Sequence, residues 1–214
     1  MPDLATDYMG LRLRSPLVAS SSPITAELGS LRQLEEAGAA AVVLPSLFEE
    51  QISFEVMEID RLLETGAESF GEATTYFPEL DTYNTGPDQY LELIAKAKEI
   101  LDIPVIASLN GVSSGGWLEY ATLIEQAGAD ALEINPYLVA ADPDTTSSEV
   151  EASDRELVAA LGRSVGIPLA VKLSPYFTAL AHTASELVDA GARGLTLFNR
   201  LYKPDLDTDR LEVV

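Results

Sequence analysis

One phrase occurs three times in this chain and limits what it can become. Residues 34–44 read LEEAGAAAVVL, residues 124–134 read IEQAGADALEI and residues 187–197 read LVDAGARGLTL. Each starts as the end of an apolar-striped helix, passes a tight Ala-Gly-Ala turn and runs into strand formers. A second phrase alternates with it, in which a proline opens a buried strand: SPLVAS from Ser15, IPVIAS from Ile103 and IPLAVKL from Ile167. Pro16, Pro104 and Pro168 precede the turn glycines Gly38, Gly128 and Gly191 by 22, 24 and 23 residues, so the unit is strand, helix, turn, strand. Parallel strands joined by helices are covered on both faces, which is why these runs are continuously apolar and do not alternate. Three βαβ copies predict an α/β chain. A (β/α)8 TIM barrel holds four, so the expectation is a barrel truncated to about six βα units, with residues 1–214 as one incomplete domain.

Composition narrows the function. With no cysteine, the chain has no disulfide, no thiolate metal site and no thiol nucleophile or base. A net charge of −22 argues against nucleic acid and anionic membranes as partners. No apolar run approaches the roughly 20 residues that span a bilayer, and residues 1–11 do not resemble a basic, apolar leader. The cytoplasm is the expected compartment.

The periodicity predicts strands over residues 16–20, 40–45, 105–109, 131–135, 169–173 and 195–199. Helices are expected over 25–36, 89–101, 118–126, 151–165 and 178–189, with Ser22 or Thr25 capping the first. The longest insertion, residues 46–87, opens with an acidic helix-like stretch over 48–63 and continues into the turn-rich TTYFPELDTYNTGPD. Long loops on such a scaffold usually serve a site. The tail RLYKPDLDTDRLEVV reads as a polar loop ending in a strand-like stub.

In this architecture function collects where strands finish. The last residues of these strands form a polar set: Ser20, Ser21 and Ser22; Ser46; Ser108 and Asn110; Asn135; Lys172; Asn199 and Arg200. Amides and a lysine gathered at one end of strands this apolar mark the barrel mouth as a site. Lys172, between Val171 and Leu173, either points into the barrel or reaches the rim beside an acidic partner, because an unpaired buried ammonium is costly. An inward lysine serves as a Schiff-base amine or as a fixed cation beside an electron-rich cofactor ring. Asn135 and Asn199 offer donors and acceptors that suit a planar heterocycle, or else cap loops. Glu133, two residues before Asn135, faces the same side and is the one inward carboxylate able to pair Lys172. The serines singly read equally well as turn or cap residues. His182, the sole histidine, lies inside a helical run and suggests no triad. Without HExxH, a carboxylate cluster or a cysteine pair, no catalytic metal is expected. Gly115-Gly116 is too short to mark a phosphate cradle.

Taken together, SPLVASSS, PVIASLNG, ALEIN, VKLSPYF and LFNRLYKPDLD resemble the dihydroorotate dehydrogenase family, especially its dihydroorotate dehydrogenase-like branch, over essentially the whole chain. The resemblance implies an FMN-containing (β/α)8 barrel that oxidises a ring carbon–carbon single bond in pyrimidine synthesis. It further implies that Ser20 and Ser21 border the flavin ring, that Ser108 contacts it, and that Lys172 stands at its N1/O2 edge. Asn135 and Asn199 would hold flavin and substrate, and Asn84 is what remains of the substrate loop. The family's base falls near Leu138, with Tyr137 and Tyr176 as nearby substitutes, and a family lysine falls at Pro45. By the same resemblance the partner is a small dihydroorotate-like substrate and a homodimer is possible. Six strands imply an N-terminal part of a longer protein, or a sheet closed by another chain.

Overall fold

In a computed structural model, the structure describes residues 3–48, 87–111, 117–136, 138 and 142–199, with two short segments at 206–207 and 212–213. It is a six-stranded parallel sheet, curled into part of a barrel, with helices on its convex face. In chain order the sheet is β3 (Val18–Ala19), β4 (Ala41–Phe48), β5 (Val105–Gly111), β6 (Ala131–Pro136), β7 (Leu169–Leu173) and β8 (Gly194–Leu197), each paired with its neighbours in sequence. The connecting helices are α1 (Leu28–Glu36), α2 (Pro87–Ile100), α3 (Trp117–Gln126), α4 (Ser147–Ser164) and α5 (Leu180–Ala190).

The repeated phrases build the lower rim, where strands begin. After α1, α3 and α5 the chain turns at Gly38, Gly128 and Gly191, with φ of 107°, 98° and 125°, a region that costs a residue with a Cβ. In each copy the alanine after the glycine donates to a carbonyl five residues back: Ala39 to Leu34, Ala129 to Ile124 and Ala192 to Leu187. Strand backbones then lock in at matching places, Ala40 N–H on Leu17, Asp130 on Val105 and Arg193 on Leu169.

The sheet has two apolar faces, as its continuous hydrophobic runs require. Between sheet and helices lies the larger core, with Val42, Leu44, Leu109, Leu132, Ile134 and Val171 among its members. Inside the curl lies a smaller one that includes Val43, Ile106, Ala131 and Ala170. Its floor is a hairpin absent from the sequence reading, β1 (Thr6–Tyr8) and β2 (Leu11–Leu13). Met9 and Gly10 make the turn with φ of 55° and 81°, both positive as a two-residue hairpin turn of this type demands. Met9 accepts that conformation while its side chain is buried in the inner core.

Several expected boundaries are corrected. The first strand covers only Val18–Ala19, and the first helix is split into a 3-10 turn, Pro23–Ala26, and α1. Ser22 caps that turn and Thr25 answers it, a reciprocal pair. α4 begins at Ser147, four residues before the expectation, because Thr146 and Glu149 form a capping box. β8 ends at Leu197, leaving Asn199 beyond the strand. β4 runs through Pro45 to Phe48, so the first residues of the supposed insertion are strand, and its last, Pro87, opens α2; residues 49–86, with all of the 48–63 helix but Phe48, lie outside the described residues. The strand-like tail is a short antiparallel pair, β9 (Leu206–Asp207) with β10 (Glu212–Val213).

Candidate functional site

The upper rim carries side chains that alternate onto the inner face of adjacent strands. Cross-strand register aligns Ser46 with Ser108, Ser108 with Glu133, Asn110 with Asn135, and Lys172 with Thr196. Three polar groupings result.

The first crosses β4 and β5. Ser46 Oγ lies 2.8 Å from Ser108 Oγ and 3.5 Å from Ser21 Oγ, so three hydroxyls form a line. Its geometry depends on a bulge, because β4 takes three residues from Val43 to Ser46 where β5 takes two, from Ile106 to Ser108. Buried Pro45 sits inside the bulge with no N–H to offer. The Pro104 carbonyl accepts from β4 and the Val105 carbonyl from the start of β6, so even-numbered residues of β5 present their backbone to β4. Ser108, paired with Ser46 across the bulge, therefore turns its N–H and C=O toward β4. Tyr90 of α2 reaches the same groups: its hydroxyl accepts from Ser108 N at 2.7 Å and donates to Ser108 O at 3.2 Å. Burial drives the Tyr90 phenol far above its usual pKa, so it stays a donor.

The second grouping is an ion pair. Lys172 Nζ donates to Glu133 Oε1 at 3.0 Å, with side-chain exposures of 16% and 6%. Thr196 Oγ1 donates to Glu133 Oε2 at 2.8 Å. Lys172 thus points into the barrel and has its acidic partner beside it, and both carboxylate oxygens of Glu133 are used. The third joins Asn199 Nδ2 to Asn135 Oδ1 at 3.0 Å, with Asn135 buried at the end of β6.

Beneath these groups the curled sheet encloses a cavity of about 440 Å³. Val18 and Ser20 line it from one edge of the sheet, Leu195 and Thr196 from the other, Tyr8 and Met9 from below. Of the residues expected at the site, Ser21, Ser108, Asn135, Lys172 and Asn199 come to the upper rim in these groupings, while Ser20 is exposed on the cavity wall. Tyr176 is 68% exposed on the loop after β7, and Leu138, where the family's base falls, is 47% exposed. Tyr137, Asn84, Arg200 and the Gly115-Gly116 pair lie outside the described residues. Sequence reasoning missed Tyr8, Tyr90 and Thr196. The alternation in TDYMGLRL about a Met-Gly turn was a signal for the first; nothing local marks the other two.

This fold and rim define a partial parallel α/β barrel of the TIM-barrel kind. Phosphonopyruvate hydrolase, solved with oxalate and Mg++, superposes with a TM-score of 0.53 at 15% identity over 89% of this chain and 61% of its own. An IMP dehydrogenase/GMP reductase-like protein from Corynebacterium glutamicum gives 0.52 at 17% identity over 90% and 47%. At such identities these likenesses speak to fold alone. No protein-family model matches the chain. Sequence relatives are more specific. An Aeropyrum pernix protein named as a dihydroorotate dehydrogenase A (fumarate) is 29% identical over 96% of this chain and 64% of its own length. The dihydroorotate dehydrogenase B (NAD(+)) catalytic subunits of Endomicrobium trichonymphae and Methanothermobacter thermautotrophicus are 24% and 26% identical over 97% of this chain, and 68% and 66% of theirs. The chain is a relative of the dihydroorotate dehydrogenases, and it spans about two thirds of the length of these curated relatives. Among the described residues no helix is long and apolar enough to cross a membrane.

Proposed function

We propose that this chain is the flavin-facing part of a cytoplasmic, FMN-dependent oxidoreductase of the dihydroorotate dehydrogenase type, acting on a CH–CH bond of a small dihydroorotate-like ring. The observation that carries this reading is the inward Lys172, held by Glu133 at the upper rim, with the Asn135–Asn199 pair on the same face. The donor set fits the ring of such a cofactor. An ammonium answers the electron-rich pyrimidine edge, amides present donor and acceptor together, and three hydroxyls line the neighbouring strands. Phosphate in such barrels is gripped after the seventh and eighth strands, and the described sheet has six, so the ring end is the part these residues address.

Bound there, FMN would supply the hydride acceptor. Lys172 contributes a fixed positive charge where negative charge gathers, and its orientation is settled before reaction because Glu133 already holds it. Ser20, Ser21 and Ser108 border the ring, while Asn135 and Asn199 orient it and the substrate. A Schiff-base role for Lys172 is less well supported, since that chemistry needs a free lone pair and Nζ is engaged by a carboxylate.

A visible spectrum of the purified protein with added FMN tests the reading. Bound-flavin bands near ~450 nm are expected, and their absence at saturating FMN overturns it. Lys172→Ala is expected to slow flavin reduction by about 10²-fold or more, the scale seen when one preorganised electrostatic group is lost. A second reading, a ligand-binding barrel without turnover, is favoured by exposed Leu138 at the base position and by Pro45 at the family lysine. Flavin bound but never reduced by dihydroorotate would select it.

A further inference from the structure

At the lower rim the third βαβ copy reverses the charge of the second. Laid over one another at Gly38, Gly128 and Gly191, the copies carry Glu35, Glu125 and Val188 three residues before the glycine, and Ala40, Asp130 and Arg193 two residues after it. Two acids of the second copy are thus an apolar side chain and a cation in the third. Arg193, with Arg163 from the last turn of α4, lines a groove of about 580 Å³ between the ends of α4 and α5 and the Met9–Gly10 turn. Among the described residues no acidic side chain lines it, although the chain has 35 acidic residues against 13 basic ones. Elsewhere cations are mostly spent: Arg12 on Asp7, Lys96 on Glu92, Lys98 on Asp130, Arg155 on Glu186 and Lys172 on Glu133. Arg14, on the same rim, donates to the Glu35 and Ala39 carbonyls, both at 2.6 Å. No such task falls to the groove's arginines. The Gly191 and Ala192 N–H groups already bond the Val188 and Leu187 carbonyls, and the Val165 N–H bonds Leu161. Among the described residues the exposed side chains of Arg163 and Arg193 have no partner.

We propose that this groove is a second ligand site, which takes a small organic phosphate: the doubly charged head on Arg163 and Arg193, and a flat apolar body against Val165, Ile167 and Pro168. A guanidinium meets an oxyanion through two parallel N–H bonds and is weakly hydrated, so two of them in one groove suit a dianion. Each helix end turns roughly half a negative charge toward this rim. Two ends together cancel about one of the two arginines, and the groove stays positive. The negative charge of the rest of the chain is screened over about 8 Å at physiological salt, so the groove's own lining decides what it attracts. It lies at the opposite end of the sheet from Lys172, and the inference does not depend on the flavin reading.

The test follows arginine Nε–H resonances of isotope-labelled, flavin-free protein during titration with phenyl phosphate at constant ionic strength. Arg163→Gln and Arg193→Gln, both at exposed positions, assign the two signals. Phenyl phosphate is expected to shift Arg163 and Arg193 along one saturation curve, while Arg12 and Arg155, already paired, stay still. Each single variant should weaken binding about tenfold, the scale of one lost charge-assisted hydrogen bond. Arg32→Gln, on α1 and outside the groove, should leave it unchanged. No saturable shift up to tens of millimolar overturns the proposal. An equal loss in Arg32→Gln also overturns it, because general attraction would then explain the binding. Phenol or benzoate binding as tightly would refute the doubly charged head, and inorganic phosphate binding as tightly would refute the apolar body. Since no flavin enters this assay, its failure and a failed FMN spectrum are separate results.

Discussion

The two rims of the sheet are built by different means. At the lower rim the same contact recurs from one βαβ copy to the next. Glu35, three residues before Gly38, accepts from the backbone N–H of Asp102, two residues before Pro104. Glu125, three residues before Gly128, accepts from Gly166 at 2.8 Å and Ile167 at 3.1 Å, just before Pro168. Each helix end thus staples the loop that opens a later strand. In the third copy the position is Val188, 47% exposed, and the staple is gone. The upper rim repeats nothing. Ser46, Ser108, Glu133, Asn135, Lys172 and Thr196 are all different answers to the same alternation, and they bond mostly to one another. A rim made of side chain to backbone contacts supports the fold; a rim of side chain to side chain contacts is free to specialise.

Substituting one carboxylate on each rim measures that contrast. The largest effect is expected at Glu133→Ala, which strands a buried ammonium: about 3–5 kcal/mol of stability should be lost in urea unfolding. A loss no greater than that at the lower rim would erase the distinction drawn here.

Asp154 belongs to neither rim and serves as a control. It is buried in α4, and burial, with the Glu151 charge adding, pushes its carboxyl from 3.8 up to about 7. Between those values the folded chain holds a proton that the unfolded chain has released, so stability falls as pH rises through that window. Asp154→Asn should therefore exceed the wild type by on the order of 2 kcal/mol at about pH 8 and match it near pH 4. An equal gap at both pH values would show that titration is not the cause.

The smallest effect is expected at Glu125→Ala. Losing two backbone partners, one exposed and one half-buried, should cost about 1 kcal/mol, with FMN binding unchanged in a fluorescence titration. Weakened FMN binding would mean that the lower rim also serves the site.

Much of the fold could be read from the chain because its punctuation is local. A positive φ after a helix asks for glycine, and Gly38, Gly128 and Gly191 announce three turns without reference to anything distant. The inward Lys172 and its pairing with Glu133 were legible for a similar reason, since alternation assigns each to a face of its own strand and burial demands a partner. The bulge at Pro45 was not legible. An apolar run through a proline looks like a strand that stops, and it is pairing with β5, at a register shifted between Val43 and Ser46, that carries β4 on to Phe48, while Tyr90 bonds the Ser108 backbone from a separate helix. The start of α4 was missed because Ser147 to Glu149 is polar, although Thr146 and Glu149 stand at capping-box spacing.

By itself, then, the order of residues determined the βαβ repeat, the two-faced apolar sheet and the polar ends of its strands, all of which follow from periods of two and 3.6 residues within single elements. Which of those polar ends meet was decided only by tertiary structure. Thr196 joins Glu133 from 63 positions away, and Tyr8, from the opposite end of the chain, lines the same cavity as Thr196, because the sheet curls and the Met9–Gly10 turn carries the hairpin beneath it. Register between strands and the curvature of a sheet are set by how whole layers pack, and no single segment carries that information.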